Sequence, residues 1–155
     1  MPVRAAAEPR VAGMLGALRR SHYRLTTQRR LVCEALSELA GHPTAYEVYA
    51  RVTPRAPSLS LATVYATLRA LTQTGAIFDL GSAGGGPARY EVNPEPHANF
   101  VCTVCGRVED VFDVPVGELR DGVVRRGHLV RGLRVVLYGT CATCQSRLRM
   151  RVSHN

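Results

Sequence analysis

Two pairs of cysteines, Cys102-Thr-Val-Cys105 and Cys141-Ala-Thr-Cys144, constrain this chain more than any other feature. Each Cys-x-x-Cys knuckle offers two thiolates on one tight turn, and two knuckles together complete the tetrahedral shell that zinc takes in structural sites. The spacing predicts a closed four-cysteine zinc site. An iron-sulfur cluster also uses four cysteines, but the evenly paired knuckles, each followed by a residue able to turn or to start a helix, favour zinc. Paired disulfides need an oxidising compartment. A redox Cys-x-x-Cys explains only one of the two pairs.

Nothing at the N-terminus directs the chain to such a compartment. Val11 to Leu18 is broken by two glycines and runs into Arg19 and Arg20, so there is no secretory apolar segment, and no run approaches membrane-spanning length. A reducing cytoplasm is the expected location. At 155 residues the chain accommodates one medium domain or two small ones, and a half stapled by metal favours two.

Charge separates the halves. All 20 basic residues are arginine, whose planar fork pairs with phosphate at two points. Residues 1–90 carry 11 Arg against 5 acids, net +6, while residues 91–155 carry 9 Arg against 7 acids, net +2. That asymmetry predicts a polyanion-binding first half joined to a half with other duties.

Residues 1–9 read as a frayed tail. Val11, Met14, Leu15 and Leu18 then recur at helical spacing in a short amphipathic helix. A threonine in Leu25-Thr26-Thr27-Gln28 can cap a second helix with an apolar face of Leu31, Val32, Ala35, Leu36 and Leu39, in which Cys33 is a small buried hydrophobe. Gly41-His42-Pro43-Thr44 ends that helix and opens a third, with Thr44 and Glu47 forming a capping box and Val48, Tyr49 and Val52 facing inward. Ser60 caps a fourth helix that runs to Gln73 and buries Leu61, Val64, Leu68 and Leu71, leaving Thr63, Tyr65, Ala66 and Arg69 on the open side. Strands over 76–80 and 88–92, joined by a glycine-rich loop over 81–87, form a hairpin. That loop is no phosphate cradle, because it lacks a strand-to-helix context and a Lys-Ser/Thr ending. Helices followed by a hairpin in a basic half describe a winged helix-turn-helix, with residues 1–92 as the DNA-binding domain.

Asn93-Pro94-Glu95-Pro96 is a stiff hinge, and residues 97–155 form a second domain. Strands over 99–102, 107–112 and 130–138, with a helix over 116–126 between the last two, give β-β-α-β, closed by a helix over 141–152. The fold class is therefore α+β. The apolar run Val135-Val136-Leu137 is long for a one-sided strand in so small a domain and points to burial against a second copy.

Several stretches together resemble the ferric uptake regulator (Fur) family of bacterial metalloregulators. They are Arg24-x-Thr26-x-Gln28-Arg29, His42-Pro43-Thr44-Ala45, Ser60-x-Ala62-Thr63-Val64-Tyr65, Arg89-Tyr90-Glu91, His97-x-Asn99-x-x-Cys102-x-x-Cys105-Gly106 and Tyr138-Gly139-x-Cys141-x-x-Cys144. The resemblance spans about residues 14–150. It implies a homodimeric winged-helix repressor that binds a palindromic operator, with structural zinc on Cys102, Cys105, Cys141 and Cys144 and a regulatory metal between the domains. The regulatory ligands it implies are His42, Glu91, His97 and Asp110, with Asn99 standing where the family usually has a further histidine. Two imidazoles and two carboxylates suit Fe(II), Mn(II) or Zn(II), and the carboxylates shift preference toward the harder ions. Ligands for a second regulatory site are missing at Pro96, Ala98, Gly117 and Leu133.

Asp110 and the His42 context look most like the peroxide-responsive branch of that family, although Glu91 and Asn99 depart from it. Peroxide sensing is accordingly the first reading, manganese or iron homeostasis the second and zinc sensing the third. The chain is expected to be a binding module and not an enzyme. A dithiol oxidoreductase would leave the basic half unused, and a zinc-ribbon scaffold would not explain hydrogen-bonding groups at Arg30, Ser60, Thr63 and Tyr65. Those four and Arg69 are the expected recognition residues, with Arg19 and Arg20 contributing phosphate affinity.

Overall fold

The structure is a computed structural model that describes residues 7–39, 41–93, 95–130 and 133–152. The chain divides into two compact units, one of residues 1–81 with 88–94 and the other of residues 82–87 with 95–155. The six-residue tip of the hairpin loop thus groups with the second unit, whereas the sequence placed it in the first. Of the hinge, Pro94 lies outside the described residues, as do residues 1–6 of the expected tail and residues 131–132 of the last expected strand.

In the first unit, α1 (Ala7–Arg20) begins before Val11, inside the stretch expected to fray. Pro9 falls in its first turn, where a missing N–H costs nothing, and Glu8 complements the positive end of the helix. The next helix, α2 (Thr27–Glu38), is capped by Thr26, whose hydroxyl accepts from the Arg29 amide. α3 (Ala45–Val52) carries the full capping box: Thr44 Oγ1 accepts from Glu47 N at 3.2 Å and Glu47 Oε2 accepts from Thr44 N at 2.7 Å. Ser60 caps α4 (Leu61–Gln73) through the Thr63 amide. The apolar faces of the helices meet in one core of Leu18, Val32, Leu36, Val48, Val52, Val64, Leu68 and Leu71, each fully excluded from solvent. Each such side chain contributes about 1.5–3 kcal/mol by leaving water, enough for this unit to hold together through apolar packing. Cys33 lies in that core and burial pushes its thiol up to about 12, as befits a small hydrophobe. The hairpin is real but short, with β1 (Phe78–Asp79) antiparallel to β2 (Tyr90–Glu91).

The second unit is a three-stranded sheet with two helices. β3 (Ala98–Cys102) is central, β4 (Val108–Val111) pairs with it antiparallel, and β5 (Val135–Gly139) pairs with its other edge in parallel. α5 (Val116–Val124) and α6 (Ala142–Val152) complete the expected β-β-α-β-α order. β5 starts later than the sequence pattern suggested. In the loop tip, Gly84 has φ +60° and a Cβ there would lie 2.5 Å from the Gly106 amide nitrogen. Two glycines are therefore required where the loop meets the first knuckle. No helix among the described residues is long and apolar enough to cross a membrane.

Thr44 is buried, caps α3 and bridges to Arg89 of the hairpin. Thr44→Ala should lower unfolding free energy by about 0.5–2 kcal/mol, the usual worth of an N-cap, with the loss read from chemical denaturation. A variant as stable as the parent would show that the capping box contributes nothing.

Candidate metal centres and nucleic-acid surface

The parallel pairing of β3 with β5 brings the two knuckles to the same end of the sheet. Cys102 ends β3 opposite Gly139 near the end of β5, and Thr103 N donates to Gly139 O at 2.8 Å. Each strand then turns directly into its second cysteine. Gly106, at φ +71°, closes the first turn by donating its N–H to Cys102 O, and Cys144 falls in the first turn of α6. The four sulfurs all lie within 4.8 Å of one another. A tetrahedral zinc with bonds of about 2.3 Å sets neighbouring sulfurs about 3.8 Å apart. The Cys105 and Cys141 sulfurs stand 3.9 Å apart, far outside disulfide bonding and close to that spacing.

The electrostatics fit the same donor set. Amide hydrogen bonds from Cys141, at 3.3 Å, and from Cys105 hold the Cys102 thiol down at about 6. The neighbouring Cys141 side chain and burial push Cys144 up to about 12. Four sulfurs this close cannot all be thiolates without a cation among them; a divalent ion of tetrahedral preference accepts all four.

The other predicted ligands fall into two groups, one in each unit. In the first, Gly41 at φ +69° and Pro43 turn the chain so that His42 enters the interior, where its Nε2 lies 3.0 Å from Glu91 Oε2. The hairpin fixes this pair: Tyr90 N donates to Pro43 O and Arg89 donates from its guanidinium to His42 O. Both side chains are almost wholly buried. The second Glu91 oxygen accepts from Asn93 N.

In the second unit, His97 and Asn99 are two residues apart along β3 and its lead-in, so they share a face, and Asp110 is the register partner of Asn99 across β4. His97 Nδ1 lies 2.6 Å from Glu95 O, which can only accept, so Nδ1 carries a proton and Nε2 is the nitrogen turned toward Asp110. That Nε2 is 3.4 Å from Asp110 Oδ1 and 3.4 Å from Asn99 Nδ2. Asn99 Oδ1 is buried with no hydrogen-bond partner among the described residues. An orphaned amide oxygen beside an imidazole and a carboxylate fits a divalent cation of intermediate to hard character.

The residues expected to face DNA spread over two surfaces of the first unit. Tyr65 and Arg69 stand exposed on α4, and Thr63 is half-exposed. Ser60 is engaged as the α4 cap and also bonds the Thr63 hydroxyl. Arg19 and Arg30 instead line a groove with Glu8, Glu34 and Glu38, a setting of mixed charge. A second groove, of about 540 Å³, runs along the exposed side of α4 at Ala62, Thr63 and Ala66 and is walled by Arg24, Gln28 and Arg29. The sequence reading did not single out those three. The signal was the Thr26 cap, which puts Gln28 and Arg29 in the first turn of α2.

Comparison with known proteins agrees with this architecture. The sequence profile of the Ferric uptake regulator family matches residues 20–138. The peroxide-responsive repressor PerR of Staphylococcus aureus is 31% identical over 137 residues, covering 86% of this chain and 90% of that protein. The crystal structure of a Campylobacter jejuni peroxide stress regulator is similar at 31% identity and a TM-score of 0.62, covering 84% of this chain and 98% of that one. The ferric uptake regulator of Helicobacter pylori shares the fold, with a TM-score of 0.66 at 20% identity over 90% of this chain and 93% of that one. With a match over most of its length and relatives above 30% identity, the chain belongs to the ferric uptake regulator family, whose members are metal-responsive transcriptional regulators and not enzymes.

Proposed function

We propose that the protein is a homodimeric repressor of palindromic DNA operators, gated by one divalent ion held by His42, Glu91, His97, Asp110 and Asn99 Oδ1. The buried Asn99 oxygen that lacks a hydrogen-bond partner among the described residues, on the same face as His97 and opposite Asp110, carries this reading, because each group of ligands alone leaves a cation half-coordinated. In it, residues 1–92 bind DNA, 93–96 are the hinge and 97–155 dimerise. The ligands come from both sides of the hinge, so a bound ion restricts the angle between the two parts. Metal and DNA then strengthen each other's binding by the same factor. The four cysteines hold a separate zinc whose role is structural. Their thiols suit a reducing, cytoplasmic setting.

Exposed apolar side chains support the dimer. Phe112, Leu119, Val123, Val124, Leu137 and Tyr138 are each at least 40% exposed in the second unit. They lie on α5, on β5 and just past β4, and β5 is an edge strand of the sheet. A second copy covers both the apolar surface and the open strand edge.

Resemblance to peroxide-responsive regulators favours Fe(II) as the physiological ion and peroxide as the signal. Fe(II), if held by these residues, would activate peroxide so that one of its oxygens passes to an imidazole carbon and the other leaves as water. His42 and His97 are the imidazoles placed to be oxidised, and loss of either as a ligand releases the DNA. Mn(II) in the same site gives a repressor indifferent to peroxide. Uptake control of manganese or iron is the second reading, supported by the oxygen-rich donor set.

Three outcomes are expected. Cys102→Ser should lose the zinc, measured per chain by plasma mass spectrometry, along with thermal stability and the dimer; a zinc-free variant melting like the parent overturns the structural role. His97→Ala and Asn99→Ala should weaken Mn(II) binding and metal-stimulated DNA binding while the zinc stays in place. The experiment that tests the function itself is DNA binding by the purified protein with Mn(II), Fe(II) or Zn(II), before and after peroxide. Mass spectrometry of the Fe(II) form should show added oxygen on His42 or His97. Unmodified histidines with DNA binding intact would leave metal homeostasis as the function.

A further inference from the structure

Arg29 is held in place by neutral groups while its charge stays unpaired. Its guanidinium carbon stands 5.4 Å over the centre of the Tyr23 ring, inside cation–π range, and its Nη1 donates to Arg24 O. Other arginines of the first unit are employed differently: Arg51 and Arg55 pair with Glu38 and Glu34, and Arg89 with Glu47. Among the described residues no carboxylate pairs with Arg29. A fixed guanidinium that is not neutralised keeps its attraction for an anion arriving from outside.

The turn between α1 and α2 explains how Tyr23 comes to lie under it. His22 adopts φ +62°, its N–H donates to Arg19 O at 3.0 Å, and Tyr23 N donates to Leu18 O at 2.9 Å. That pair of bonds is a Schellman ending of α1, and it turns the half-buried Tyr23 back onto the core. At the far end of the ring, the hydroxyl donates at 2.5 Å to Oε1 of Gln73, the last residue of α4. The ring is thus anchored by backbone at one end and by α4 at the other, with Arg29 against its face.

Arg29 also lines the groove that runs along Ala62, Thr63 and Ala66 of α4. We infer that Tyr23 is a positioning residue for DNA binding: its ring holds the Arg29 guanidinium beside α4, set to meet a backbone phosphate. The inference rests on the reading of α4 as the recognition helix. A phosphate is the occupant, because elements flanking a helix seated in the major groove cross the phosphate backbone, and contacts there fix the register of that helix. Arginine samples many rotamers in water, and holding it before contact removes that ordering cost from the binding step.

The test measures affinity and its salt dependence for the full-length Mn(II)-loaded protein on a duplex enriched from a random-sequence pool and on a scrambled duplex. Arg29→Gln should weaken both duplexes alike and lower the slope of log affinity against log salt by about one, the mark of one lost phosphate contact. Tyr23→Leu keeps an apolar body against the core and removes the ring face. It should weaken both duplexes about two- to fivefold, the worth of an exposed cation–π contact, and have no further effect in the Arg29→Gln background. Tyr23→Phe keeps the face and should bind like the parent. In the unbound protein the ring should shift the Arg29 Nε–H proton resonance upfield, in Tyr23→Phe as in the parent, a signal that does not depend on the leucine variant folding. Additive losses in the double variant, an Arg29 resonance without the upfield shift, or a Tyr23→Phe variant as weak as Tyr23→Leu would each overturn the inference while leaving α4 as the recognition helix. Parental affinity and slope in Arg29→Gln overturn it as well. A parent that enriches no sequence from the pool defeats the DNA reading, and the inference with it.

Discussion

Parallel pairing of β3 with β5 is the constraint on which the second unit depends. It puts both strand ends side by side, so two local turns that are each only half a metal site become one. What is buried there shows why this matters. The buried cluster at the sheet end is Cys102, Cys141 and Cys144 with Phe100 packed against them, not an array of leucines. Structural zinc adds about 10–16 kcal/mol in comparable small domains. A zinc bound by the four cysteines would therefore be part of the core of this unit.

The first unit answers the same problem by different means. Its helices bury leucines and valines from every element in one continuous cluster, and threonine or serine caps begin three of them. A self-sufficient core leaves the outer faces free for recognition. It also allows His42 and Glu91, a buried pair whose isolated charges would be costly, to persist because the hairpin and the Gly41-His42-Pro43 turn hold them together.

Most of this was legible before any coordinates, where the residue pattern carried its own geometry. Capping threonines, the Ser60 start of α4 and the Cys-x-x-Cys knuckles are local devices, and each was placed to within a residue or two. What escaped depends on three-dimensional neighbours. Arg30 was expected at the recognition surface while Arg29 was not singled out; one residue is about 100° around a helix, and that turn puts Arg30 in a groove with Glu34 and Glu38 and Arg29 beside α4. The hairpin loop belonged by sequence order to the first unit. The close approach of Gly84 to Gly106 groups it with the second, a fact no periodicity encodes.

Asn99 shows how one substitution sorts metals between two sites in the same chain. The knuckles offer four sulfurs, soft donors in a tetrahedron, which favour zinc over ions that prefer oxygen. At the proposed second site an amide oxygen stands where the family resemblance implies an imidazole, so the proposed ligands become two nitrogens and three oxygens. That exchange weakens the site most for Zn(II), which gains strongly from nitrogen, and least for Mn(II), which binds oxygen nearly as well. The tautomer of His97 is fixed by the Glu95 carbonyl, so the remaining nitrogen keeps its donor strength even with one fewer imidazole nearby. Zinc's advantage over Mn(II) is therefore greatest at the cysteine site and narrows at the proposed second site, where oxygen donors outnumber nitrogen.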